Sequence, residues 1–310
     1  MTLDQYYLLG RSGLRVSRLA LGTMNFGTGG FHAAYGRSAD EARPIFRRYL
    51  EEGGNFIDTA DFYTAGESET ILGTLIAEAK VRDRVVLTTK FTNSVAPGDP
   101  NAGGNGRKHM IRALDQSLRR LGTDYVDLFL LHTWDRITPV DEVLRTFDDL
   151  VRAGKIRYAG LSDVPSWYAA QAQTMADAHS LPPMINLQLP YSLVERQIEV
   201  EHVGMAQTLG LGITAWSPLG GGFLSGKYTA GLVGEGRLSI PGVAGPSLSE
   251  RDWALLRPLE SVAGKLGVTM AQVAVNWVAT QPGIASAIVG ASSAEQLGST
   301  MAALDFEIPA

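Results

Sequence analysis

The chain contains no cysteine. That excludes disulfides, a thiolate nucleophile and any thiolate-held metal. Charge is also sparse, at 19% of residues with a net of −5. A mildly acidic chain offers no broad basic face, so neither nucleic acid nor an anionic membrane surface is an expected partner. No apolar run approaches the roughly 20 residues of a membrane helix. The first residues, Met1-Thr2-Leu3-Asp4-Gln5, lack the basic start and apolar core of a secretion signal. A cytoplasmic protein without membrane insertion is therefore expected. The histidines (His32, His109, His132, His179 and His202) form no i, i+4 pair and no cluster, so no metal site is expected. Also missing is the spacing G-x-G-x-x-G, which an open doubly wound sheet carries in its first βα turn.

What is present is ample core material: 310 residues, 45% of them hydrophobic. Two short runs around Gly10-Arg11-Ser12-Gly13, between Tyr6 and Val16, predict a small hairpin. After it, strands and helices alternate. Strand starts are expected near Leu19, Asn55, Val85, Val126, Ile156, Ile185, Gly212 and Ala285, a rhythm that suits successive βα units. Ser38-Ala39-Asp40-Glu41 is a capping box whose helix stops at Gly53-Gly54. Thr138-Pro139 predicts an N-cap followed by proline at the first helical position, with Gly154 closing that helix. Thr269-Met270-Ala271-Gln272 and Ser293…Gln296 predict two more boxes. The expectation is one domain over 1–310, a (β/α)₈ TIM barrel with a short N-terminal β-hairpin. Two long Gly- and Pro-rich loops, Phe91 to Gly106 and Ser217 to Ser247, are of a length that is usually functional.

Polar groups gather where apolar strands end. Asp58 follows Asn55-Phe56-Ile57, and Tyr63 comes five residues later. Lys90 ends Val85-Val86-Leu87-Thr88-Thr89, and His132 ends Val126 to Leu131. Taken singly, Asp58 reads as a turn former, Lys90 as a solvated flank, His132 as a hydrogen-bonded core residue and Tyr63 as packing. Together they mark one site, since a barrel places its active site at the C-terminal ends of its strands. A phenol with an unperturbed pKa of about 10 is a poor proton donor near neutrality. A neighbouring ammonium lowers that pKa, and a carboxylate can hold the ammonium in place.

With Gly22-Thr23-Met24-Asn25-Phe26-Gly27 after the first main strand, this pattern resembles the aldo-keto reductase family. The resemblance covers nearly the whole chain. It is nearest to the branch of potassium-channel β subunits and aryl-alcohol dehydrogenase-like reductases. It implies Asp58, Tyr63, Lys90 and His132 as a catalytic tetrad, Tyr63 being the general acid/base. It also implies a nicotinamide cofactor, NADP (NADPH), held by several segments. The first is Gly22, Thr23 and Met24, with Asp58. Ser162-Asp163 stands where family members usually have Ser-Asn for the carboxamide; Asp163 accepts but cannot donate when ionised, and it can instead cap the helix beyond Val164-Pro165. Gln188 is the implied second carboxamide partner, or a buried glutamine bonded to backbone. Trp216 is implied to stack on the nicotinamide, or else packs in the core. Ser217, Pro218, Leu219, Gly221, Leu224, Gly226 and Lys227 are implied to wrap the pyrophosphate, the plain alternative being a solvated loop. Gly290, Ser292 and Gln296, at the start of the last helix, are implied to meet the adenosine 2′-phosphate, with Arg237 supplying charge.

Phe26 and Trp134, with Tyr63 and His132, are the expected substrate wall, joined by Phe31, Tyr35, Phe62 and Phe91. Such a mouth suits aryl or bulky hydrophobic aldehydes and ketones. The resemblance implies reduction of such carbonyl compounds to alcohols. The alternatives are the same step run as an alcohol dehydrogenase, or a cofactor-binding regulatory subunit with slow turnover. A small-molecule carbonyl or alcohol is the expected partner, and homo-oligomerisation is left open.

Overall fold

The computed structural model describes residues 3–228, 236–240 and 248–309. The side chains of Phe31 and His32, and residues 229–235 and 241–247 of the second long loop, lie outside that set. The chain opens with an antiparallel hairpin, β1 (Tyr6–Leu8) and β2 (Arg15–Ser17). Eight parallel strands then close into a barrel: β3 (Leu19–Gly22), β4 (Phe56–Asp58), β5 (Val86–Phe91), β6 (Val126–Leu131), β7 (Ile156–Ser162), β8 (Met184–Pro190), β9 (Gly212–Trp216) and β10 (Ile284–Val289). Strand β10 pairs with β3 and completes the ring. The expected barrel and hairpin are both observed.

The strand sequences explain the layering. Successive side chains point to opposite faces of a strand. Along β6, Leu128 and Leu130 join Phe56, Val86 and Ile185 in an inner cluster, which Leu9 and Val16 of the hairpin segment also enter. Phe129 and Leu131 face outward, into the larger core shared with the helices. Strands buried on both faces are mostly apolar, and their polar members, such as Thr88, Thr89 and Lys90 of β5, are buried too.

The helices are α1 (Ala39–Glu51), α2 (Glu67–Ala79), α3 (Arg107–Leu121), α4 (Val140–Arg152), α5 (Ser166–Ala178), α6 (His202–Leu209), α7 (Glu250–Leu266), α8 (Met270–Thr280) and α9 (Ala294–Met301). Among the described residues none is long and apolar enough to cross a membrane. The boxes at Ser38/Glu41 and Thr269/Gln272 form as expected. A further one, Ser249/Asp252, opens α7. Two expectations need correction. Pro139 is the N-cap of α4, not its first residue, because Thr138 turns its hydroxyl to Asp135 Oδ2 at 2.6 Å. At α9 only half the box forms: Ser293 Oγ accepts from the Gln296 amide, but Gln296 Oε1 accepts from the amide and hydroxyl of Ser292.

Candidate active site

Four of the residues singled out from the sequence converge at the C-terminal ends of β4, β5 and β6. The loop after β4 is tied to β5 by backbone bonds from Thr59 N to Thr88 O and from Asp61 N to Lys90 O, each 3.0 Å. Those ties bring Asp58 against Lys90. Lys90 Nζ donates to Asp58 Oδ1 at 2.6 Å, to the Thr59 carbonyl at 2.7 Å and to the Tyr63 hydroxyl at 3.2 Å. All three ammonium donors are thereby engaged, which a lysine with 0% exposure requires. Asp58 is fixed from the other side, where Gln188 Nε2 donates to its Oδ2 at 2.9 Å. The Tyr63 and His132 rings meet edge to face at 5.8 Å between centroids, with Phe62 against both.

The electrostatics follow from burial and pairing. Burial pushes the Lys90 ammonium down, but the Asp58 charge and the bonds to Asp58 and Tyr63 outweigh it, and the net shift is upward. Lys90 is a firm cation. Burial lowers His132 well below the usual imidazole range, and the Lys90 charge lowers it further, so the ring is neutral. Tyr63 corrects the charge argument made from sequence. Its phenol is raised, because burial outweighs the pull of Lys90. Lys90 limits the rise rather than producing a net fall.

Tyr63 begins a tight turn in which Thr64 and Ala65 adopt φ of 48° and 59°. Left-handed backbone in non-glycine residues is strained, by on the order of 1 kcal/mol or more each, and such strain gathers at functional sites. Bonds from Thr64 Oγ1 to the Phe26 carbonyl at 2.7 Å and from the Ser68 amide to Thr64 Oγ1 at 2.9 Å hold the turn.

A polar floor continues around the barrel mouth. Ser162 Oγ, at the end of β7, is buried without a hydrogen-bond partner among the described residues. Asp163 follows with φ 46°, and its Oδ1 accepts from Trp216 Nε1 at 3.0 Å. Asp163 therefore does not cap α5, whose N-cap is Pro165 with no side-chain bond. Trp216 stands partly exposed at the end of β9 rather than in the core. Among the described residues Gln188 bonds through Nε2 to Asp58 and holds that carboxylate in place. Thr23 likewise turns inward: its amide and hydroxyl both donate to the Asp58 carbonyl, at 2.9 Å and 3.0 Å. Gly22 ends β3 beside it, and Met24 is half-buried.

Beyond β9, Ser217 Oγ accepts from the Gly221 amide at 3.0 Å. Gly220, Gly221 and Gly222 follow with φ of 56°, 70° and 103°. Left-handed backbone is least strained at glycine, and all three amides donate within the turn, Gly220 to the Ser217 carbonyl at 2.8 Å, Gly221 to Ser217 Oγ and Gly222 to the Leu219 carbonyl at 3.0 Å. Pro218 is buried, Leu219 half-buried, and Gly226 and Lys227 exposed. Leu224, by contrast, is fully buried beside Phe223 and presents nothing to a ligand. A Cβ on Gly290 would find only the Gly22 carbonyl, 3.8 Å away. Ser292 beyond it is exposed and Gln296 half-buried.

Arg237 lies over the Tyr35 ring at 4.7 Å. The residue missed from the sequence is Arg37. Its Nε donates to the Ser292 carbonyl at 3.1 Å, and its backbone is pinned by bonds with Asn25 and Gly27. It forms no ion pair among the described residues.

The expected aromatic wall divides. Phe62 lies beside Tyr63 and His132. Phe26 and Phe91 are fully buried in the core, Phe91 stacked on Phe129 at 4.9 Å, so neither meets a ligand. Trp134 packs edge to face on Trp167 at 5.3 Å. It lines an outer groove of about 340 Å³ that none of Asp58, Tyr63, Lys90 and His132 borders.

This arrangement, a buried lysine–carboxylate pair under a tyrosine at the mouth of a (β/α)₈ barrel, agrees with comparison to known proteins. The model of the aldo/keto reductase family matches residues 18–310. The chain belongs to that family and is an oxidoreductase. Its relatives include oxidoreductases and channel subunits. An uncharacterised oxidoreductase of Bacillus subtilis, YrpG, is 37% identical over 98% of this chain and 92% of its own length. A probable voltage-gated potassium channel subunit beta of Oryza sativa is 35% identical over 97% of this chain and 91% of its own. Norsolorinic acid reductase B of Aspergillus parasiticus is 34% identical over 92% of this chain and 75% of its own.

Proposed function

We propose that the protein is an NADPH-dependent reductase of aldehydes or ketones, with Tyr63 as general acid. One observation carries this reading: Lys90 Nζ bonded at once to Asp58 Oδ1 and to the Tyr63 hydroxyl. The substrate oxygen sits between the Tyr63 hydroxyl and the neutral His132 ring. His132 gives it an N–H and fixes its position. As the carbonyl carbon is reduced, negative charge grows on the oxygen, and Tyr63 gives up its proton to it. Lys90, already charged, stabilises the phenolate left behind. Asp58, held by Gln188, keeps Lys90 aligned.

A nicotinamide cofactor supplies the hydride when bound. The residues present fit it. Ser162 Oγ is a buried polar atom without a partner, suited to the carboxamide, and Trp216 offers an exposed indole face. The turn at Gly220, Gly221 and Gly222 carries no Cβ and suits close approach of a pyrophosphate, with Lys227 exposed beyond it. Arg37, Arg237, Ser292 and Gln296 suit the phosphate that distinguishes NADP from NAD. The printed names of two relatives, norsolorinic acid reductase B and an aryl-alcohol dehydrogenase of Pestalotiopsis microspora, together with Phe62 beside the tetrad, support aryl carbonyl substrates.

The test is NADPH consumption with a panel of aromatic aldehydes. Multiple turnover with a free aldehyde is expected. Tight NADPH binding with no turnover on any aldehyde or alcohol would contradict the reading. It would favour the regulatory role suggested by the channel-subunit relatives.

A further inference from the structure

Asp163 is unlike the other polar groups of the site because its charge is not spent inside the tetrad. Lys90 is consumed by Asp58 and Tyr63. Asp163 Oδ1 is taken by Trp216 Nε1 at 3.0 Å, but Oδ2 has no hydrogen-bond partner among the described residues. The backbone fixes the residue from three sides. Its amide donates to the Gln188 carbonyl at 3.1 Å, its carbonyl accepts from the Trp134 amide at 3.4 Å, and φ is held at 46°. One residue before it is the unpartnered Ser162 Oγ, and the indole it holds lines the same mouth.

We infer that Asp163 makes the site discriminate between the redox states of its cofactor, favouring the cationic oxidised nicotinamide over the neutral reduced ring. The inference rests on the nicotinamide reading above and adds to it a preferred state. The charged and titratable groups around the site decide its sign. On β4 and β5, Asp58 and Lys90 cancel. Tyr63 and His132 are neutral. Strands β8 and β9 contribute the uncharged Gln188 and Trp216. An ionised Asp163 therefore leaves one negative charge in excess beside the ring. A cation placed there gains Coulomb energy that a neutral ring does not. Burial raises the Asp163 carboxyl to about 6, against the Trp216 bond and the Lys90 charge. The excess charge is thus present above that pH and lost below it. With the oxidised ring bound more tightly, bound NADPH gives up its hydride more readily, so the ionised Asp163 favours carbonyl reduction over alcohol oxidation on the enzyme.

The test is equilibrium binding of NADP⁺ and NADPH, followed by Trp fluorescence at pH 5 and pH 8, for the wild type and Asp163→Asn. The amide variant can still accept the Trp216 N–H, so the indole keeps its place. The 2′-phosphate titrates equally in both cofactors and drops out of the affinity ratio. In the wild type, Kd(NADP⁺)/Kd(NADPH) should rise about tenfold from pH 8 to pH 5. In Asp163→Asn it should be flat and stay near the acid value. A ratio unchanged by the substitution, or one with the same pH dependence in both proteins, overturns the inference and leaves the cofactor reading intact. Failure of the wild type to bind either dinucleotide overturns both.

Discussion

Lys90 illustrates how much a single side chain depends on its partner. With 0% exposure it survives as a cation only because Asp58 lies 2.6 Å away. Removing one member of a buried pair leaves the other charge uncompensated, at a cost of about 3–5 kcal/mol. Lys90→Met should therefore lose stability of that order in chemical denaturation. Adding Asp58→Asn should recover most of the loss, because no buried charge is then left alone. Neither variant should recover turnover, since both lack the cation that supports Tyr63. A double variant no more stable than Lys90→Met would show that the pair is not coupled as described.

Elements were legible in the sequence to different depths. The strands were clear because barrel strands are mostly apolar on both faces, and the expected starts at Asn55, Val85, Ile185 and Ala285 fall one residue from those observed. Caps set by residues three apart were also readable at Ser38 and Thr269. What escaped was set by tertiary contact. Asp163 turns from a local cap towards Trp216, 53 residues on, and nothing near it in the sequence signals that. Phe26 was expected in the substrate wall, but it lies in the main core with 0% exposure. The same limit hid the join between α2 and α3. Glu69, fully buried on α2, accepts from Thr89 Oγ1 at 2.5 Å and from Arg120 Nε on α3 at 2.7 Å. Arg120→Met strands that carboxylate and should destabilise the protein by about 3 kcal/mol or more. A change under 1 kcal/mol in a denaturation curve would contradict it.

At the scale of the whole molecule, barrel closure makes the site. Pairing of β10 with β3 sets Arg37, in the first βα connection, against Ser292, which lies 255 residues away. No local pattern could join them. If that meeting point holds the 2′-phosphate, Arg37→Gln should weaken NADPH binding about tenfold or more, and NADH binding less than twofold. Calorimetric titration of both cofactors checks this; equal losses for the two would show that Arg37 only braces the fold. Pairing of β4 with β5 and of β5 with β6 gathers Asp58, Tyr63, Lys90 and His132 at one end of the barrel, and their action as one proton-transfer unit is the centre of the proposal. The most direct measurement is the rate of aldehyde reduction by Tyr63→Phe with NADPH saturating, beside the variant's affinity for NADPH. The account predicts a fall of about 10²- to 10⁴-fold in rate with NADPH affinity unchanged. A variant that retains the wild-type rate would contradict Tyr63 as the proton donor.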